Sequence, residues 1–127
     1  MIRKLLLAGL IAALLGCSPK NDFIAGGLYT IDNGDGSFGI AKILALDDEL
    51  IHVKVYKNKW TNRPSSVDLS SLSMGSISDK DGFGIGHLPL GRKTFLNWKP
   101  VLVAQQPISE DELDGYNEWK KDQGGHF

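Results

Sequence analysis

Cysteine is nearly absent. Cys17 is the only one in 127 residues, so the chain has no intramolecular disulfide and no paired sulfur site for a metal. Charge of one sign is also lacking, with fourteen Lys and Arg against fifteen Asp and Glu, and the formal net charge of −1 offers no electrostatic footprint for nucleic acid. The three histidines, His52, His87 and His126, lack the close spacing of an evident metal pair, and no metal site is expected. Gly-x-Ser-x-Gly, Ser-x-x-Lys and His-Glu-x-x-His do not occur, so no catalytic residue is assigned. Long apolar runs are missing too. Residues 5–15 form the one extended run, and at about 1.5 Å per residue such a helix covers only about half of a hydrocarbon core roughly 30 Å thick. There is no internal repeat or low-complexity block. Stability must come from one modest packed core.

The N-terminal stretch is informative in its order. Arg3 and Lys4 precede the apolar run, which closes in Leu14-Leu15-Gly16-Cys17. A charged start and a short apolar centre are the pattern of a secretory signal. The terminal motif resembles the lipobox of bacterial lipoproteins. That resemblance implies a signal peptide over 1–16, a diacylglyceryl group on the Cys17 sulfur, an acyl group on its new amine, and a lipidated tether over 17–27. Two acyl chains, at about 0.8 kcal/mol per buried methylene, hold a protein stably to a bilayer. No other cofactor is expected. Ser18, in place of an Asp after the cysteine, implies the periplasmic face of the outer membrane where a cell has two membranes. Removal of Arg3 and Lys4 with the signal would move the formal charge from −1 to −3.

Residues 28–127 read as a single domain. Residues 28–31 are a short strand candidate, residues 32–36 are dense in turn formers, and residues 38–46 are apolar. Residues 50–56 alternate strictly, with Ile51, Val53 and Val55 on one face and His52, Lys54 and Tyr56 on the other, which predicts a hairpin with one face buried. Residues 58–66 read as a loop, 67–72 as a helical turn or an irregular edge, and 73–86, rich in Ser, Gly and Asp, as a long mobile connection. A strand near 84–90, a short helix over 92–98 ending before Pro100 and a last strand over 101–104 follow.

The C-terminal helix is placed at 109–123. Ser109 and Glu112 form a capping box, Ile108 and Leu113 take the positions of a hydrophobic staple, acids crowd the first turns, and Lys120 and Lys121 stand in the last. Leu113, Tyr116 and Trp119 recur at helical spacing and should face the sheet, while Gly115 weakens the helix and Gly124 and Gly125 stop it. The fold class expected is α+β: a small twisted antiparallel β-barrel or sheet with a C-terminal α-helix, after an N-terminal signal helix. Residues 36–46 with Val53-Lys54-Val55-Tyr56 are similar to the central hairpin of Tudor-like barrels, and Gly86-His87-Leu88-Pro89-Leu90 with Trp98-Lys99-Pro100 looks like a landmark of small bacterial proteins. Neither likeness implies an activity.

Two loops, 32–37 and 79–84, carry spaced carboxylates but depart from a calcium loop; Phe83 occupies a ligand position, and both read as solvated turns. His87 with Asp79 or Asp81 is the one pairing that a fold could assemble into a general base. A more suggestive group is Lys54, Tyr56, Lys57, Lys59, Trp60 and Arg63, cations and aromatic rings on the outer strand face and the loop after it. These residues are the expected partner-binding surface. The function expected is a noncatalytic, membrane-anchored binding module of the envelope with a protein partner, in its concrete form an immunity protein against a periplasm-acting toxin. Its rival is an envelope-assembly or peptidoglycan-associated structural lipoprotein.

Overall fold

A computed structural model describes residues 23–127; Cys17, the signal segment expected to be helical, and the first part of the expected tether lie outside the described residues. Five strands, β1 (Gly27–Asp32), β2 (Phe38–Asp47), β3 (Leu50–Val55), β4 (Ile85–Gly91) and β5 (Val101–Gln105), form one antiparallel sheet in the order β4-β3-β2-β1-β5. Two short helices accompany it, α1 (Arg92–Asn97) between β4 and β5, and α2 (Asp114–Lys121) near the C-terminus.

The sheet is open, so the barrel alternative is not realised. Its β4 edge is met by the end of the chain instead of by β5: Gly91 N donates to Phe127 O at 2.6 Å, and Phe127 N to Pro89 O at 2.9 Å. Pro89 has no N–H to offer a further strand, which suits an edge position.

One face carries the larger core. Tyr29, Ile31, Ala41, Ile43, Ile51, Val53 and Leu90 pack there under Phe95 of α1, with Phe23 and Trp98 against them. Phe23 stacks edge-on to Phe95 and Tyr29, at centroid distances of 5.2 and 5.7 Å. Residues 23–27, expected within the tether, therefore belong to the domain. Tyr29 supports them as an acceptor: Ile24 N donates to Tyr29 Oη at 3.0 Å.

The opposite face, expected to meet solvent, is also covered. Leu28, Ile40 and Tyr56 are buried there under Trp60, Val67, Leu69, Leu72 and Met74. The loop after β3 folds back because Trp60 and Phe38 exchange backbone hydrogen bonds of 2.8 and 2.9 Å. A 3-10 turn at Leu69–Ser71, capped by Asp68, settles the choice left open for that stretch in favour of a helical turn. The stretch 73–86, expected to be mobile, is closed on itself by Gly84 N to Met74 O at 2.7 Å and tied to the segment just after β3 by Lys57 N to Ser73 O at 2.8 Å.

The expected continuous helix over 109–123 is instead a 3-10 turn at Asp111–Leu113 followed by α2. The capping box forms: Ser109 N donates to Glu112 Oε1 at 2.9 Å and Glu112 N to Ser109 Oγ at 3.3 Å. At the other end Gln123, not a glycine, takes the left-handed conformation at φ 52°, and Gly124 N closes on Trp119 O at 3.0 Å.

Candidate functional site

Of the six residues expected to make one binding surface, most are engaged in the fold. Lys54 Nζ donates to Glu112 Oε2 at 2.8 Å. Tyr56 is buried in the second core, which pushes its phenol above the usual range. Trp60 packs onto that core. Arg63 Nη1 donates to Thr30 O at 3.0 Å and Thr30 Oγ1 at 2.6 Å, with its guanidinium over the Phe38 ring. Lys57 pairs with Asp81 at 2.9 Å and Asp79 at 3.2 Å, and Lys59 is exposed. Three of the six, Tyr56, Lys57 and Lys59, come together at an outward hollow of about 210 Å³, which Asp81, Phe83 and Ile85 also line. The carboxylates of the two candidate calcium loops turn onto their own chain: Asp32 accepts from Gly34 N, Asp35 from Ser37 N, and Asp79 from Ser76 N.

Beneath the C-terminal segment lies a polar seam that the sequence did not announce. Lys42 sits mid-strand in an apolar run, and its side chain is 1% exposed. Its ammonium is held by Gln106 Oε1 at 3.1 Å, Pro107 O at 2.8 Å and both oxygens of Glu112 at 2.9 and 3.1 Å. Full pairing is what makes a buried ammonium tolerable. Burial alone would raise the Glu112 pKa, but the hydrogen bonds from Lys54, Ser109 N–H and Lys42 outweigh it and bring it down to about 2. The carboxylate that closes the capping box ahead of α2 thus also fastens that segment to β2 and β3.

Further along the seam, His52 is fully buried. Its Nε2 lies 3.0 Å from Asp47 Oδ2, and its Nδ1 lies 3.0 Å from His87 Nε2. Tyr116 donates its hydroxyl to Asp47 Oδ1 at 3.1 Å. A single tautomer pattern satisfies the chain: His52 Nε2–H donates to Asp47, His87 Nε2–H donates to His52, and His87 Nδ1 retains its lone pair. Burial lowers the pKa of both rings; Asp47 opposes this for His52, and His52 adds to it for His87. His87 borders a hollow of about 400 Å³ with Lys54, Met74, Glu112 and Gly115.

Strand register explains how these residues meet. The pairing of β2 with β3 slips between Ile43/Ala45, so Ile43 lies opposite Val53 while Ala45 lies opposite His52. Without that bulge, Asp47 would share the face of Ile43; with it, Asp47 turns to the face of His52. Pro89 is opposite His52 in β4, which makes His87 its diagonal neighbour. His87 therefore partners His52 rather than Asp79 or Asp81, both of which face Lys57.

Chemically, the seam can pass a proton between Asp47, His52 and His87 and can hold α2 on the sheet. Among the described residues no group of three or more His, Cys, Asp or Glu is arranged to hold a metal ion, and no helix is long and apolar enough to cross a membrane. Compared with family models, curated proteins and solved structures, the chain finds no match in any of the three.

Proposed function

We propose that the chain is a lipid-anchored, noncatalytic binding module of the cell envelope whose partner is a protein, in its concrete form an exported toxin that it blocks. The observation that carries this reading is the order of Arg3-Lys4, a short apolar run and Leu14-Leu15-Gly16-Cys17. The partner-facing surface is the hollow between Lys57, Lys59, Phe83 and Ile85, a smaller surface than the six residues first expected. Phe83 is 52% exposed and Ile77, in the same loop, 83%, apolar area that gives a partner desolvated contact beside the exposed Lys59 and the Lys57–Asp81 pair.

Crosslinking and affinity capture of the mature protein from membranes tests the surface. One partner should be lost on Phe83→Ala and on Lys59→Glu, and retained on Trp60→Ala if that variant folds. Cells lacking the gene but as resistant as before to the captured toxin would sink the immunity role. Cys17→Ser tests the address: an unprocessed or detached species is expected, and unchanged maturation and membrane partitioning would refute it.

A further inference from the structure

We infer that the face formed by β5, α1 and the segment at Phe23 and Ile24 lies against an anionic phospholipid surface, with the Lys57–Phe83 hollow toward the opposite edge of the sheet. This rests on the lipid-anchor reading and adds an orientation to it. Phe23 is fixed to the domain by its stacking on Phe95 and Tyr29, and the chain beyond it by Gly27 N to Ile24 O at 2.9 Å and Gly26 N to Ile43 O at 2.7 Å. Six residue steps separate Cys17 from Phe23, a length of chain that spans at most about 21 Å when extended. An acylated Cys17 therefore keeps the Phe23 side of the domain beside the bilayer.

That side is apolar and cationic. Ile24, Leu96 and Leu102 are 37% to 47% exposed, while Val101, opposite Thr30, points to the other side of the β5 edge. Ile24 O and Leu102 Cδ1 both lie within 3.1 Å of the space beside Gly27, which brings the Ile24 carbonyl to the neighbourhood of β5. Residues 91–108 contain Arg92, Lys93 and Lys99 and no Asp or Glu, in a chain whose acids otherwise outnumber its bases. Arg92 lies over the Phe23 ring, 5.3 Å from its centroid. Acids border the start of this stretch, where Arg92 N donates to Glu49 O and Asp47, Asp48 and Glu49 share a hollow with Arg92 and Lys93; farther along, Asp32 meets it through its backbone N, which donates to Trp98 O. Exposed Leu and Ile beside lysines are the composition that settles into anionic headgroups. The partner hollow is lined from β2, β3 and β4, two to four strand positions from β5 or roughly 10–19 Å across the sheet, and α1 itself packs on β3 and β4.

The test uses the full-length protein purified from membranes and returned to vesicles of phosphatidylethanolamine and phosphatidylglycerol. Nitroxide labels are attached through Leu96→Cys, Leu102→Cys or Ile77→Cys, one at a time, since Cys17 is occupied by lipid. Labels at 96 and 102 should collide severalfold less with a water-soluble nickel chelate than the label at 77, and more with oxygen. Lys93→Glu combined with Lys99→Glu should raise chelate access at 102 severalfold in these vesicles, with Cys17 still acylated. Equal chelate access at 77, 96 and 102 overturns the orientation. Mass analysis of the N-terminal peptide separates the two failures: acyl chains present with equal access defeat the orientation alone, whereas an unmodified Cys17 removes the anchor and the orientation together.

Discussion

His52 Nδ1 and His87 Nε2 stand 3.0 Å apart, with the two imidazoles stacked at 10° and 5.2 Å between centroids, beneath the rings of Tyr116 and Trp119. Each neutral ring has one N–H, and both are used in the relay to Asp47. A further proton places positive charge in a seam where His52 is fully buried and His87 half-buried beside a hollow. Both rings have folded pKa values below the ordinary 6.5, so the unfolded chain binds protons first as pH falls. Their contribution is complete above about pH 6.5 and is lost as pH drops below it, flattening once the folded state also takes up the protons. Urea unfolding followed by tryptophan fluorescence should show a midpoint that declines from about pH 7 to pH 5. His87→Leu should flatten that decline. It should also cost about 1–3 kcal/mol at neutral pH by leaving His52 Nδ1 unpaired. A wild-type midpoint that stays level over this range would show that burial does not hold the pair neutral.

Glu112 gives a second, more acidic window with the same direction for a different reason. Its folded pKa of about 2 lies below the ordinary 4.5, so its stabilisation is present above 4.5 and lost as pH falls toward 2. The shift corresponds to on the order of 3 kcal/mol, since Glu112 is only 13% exposed. Glu112→Gln should cost about 3–5 kcal/mol at neutral pH because it strands the Lys42 ammonium, and should remove the loss below pH 4.5. Lys42→Met combined with Glu112→Gln should recover part of that cost; a strictly additive double variant would mean that the two side chains are not coupled.

How much of this was legible depended on the range of the signal. Ile51, Val53 and their alternation marked β3, and Ser109 with Glu112 marked the start of the C-terminal helical segment, because each signal is written within a few residues. The second face was misread because alternation tells which residues share a side, not what covers it. His52 and Lys54 look solvent-facing until a segment sixty residues later lies over them. The chain Asp47–His52–His87 depends on a bulge at Ile43/Ala45, which turns Asp47 to His52, and on β4 register, which sets His87 beside it, and neither has a local signature. One clue was available: a lone Lys42 inside the apolar run of β2 required a distant carboxylate, although nothing nearby identified Glu112.

Gly115 shows the same covering contact from the helix side. An exposed helical glycine replaced by alanine ordinarily gains about 1 kcal/mol. Here an added Cβ would fall 2.7 Å from His87 Cβ, a backbone-proximal atom with little freedom to withdraw. Gly115→Ala should therefore lower stability instead of raising it, with a lower thermal midpoint and a shift in the Trp119 emission. A more stable variant would place α2 farther from β4 than this packing does.

Arg63 separates folding from binding among the residues first assigned to a partner. Its guanidinium reaches Thr30 O and Oγ1 from the loop after β3 and covers the Phe38 ring. Arg63→Ala should cost about 1–3 kcal/mol through these lost hydrogen bonds and leave the Lys59–Phe83 surface in place. Lys59 is exposed at that surface, so Lys59→Ala should change stability by less than about 0.5 kcal/mol. Denaturation midpoints measured beside partner affinity distinguish the two. Stability should fall with Arg63→Ala at unchanged affinity for the folded fraction, and affinity should fall with Lys59→Ala at unchanged stability. The reverse assignment would return the binding surface to Arg63 and remove it from Lys59.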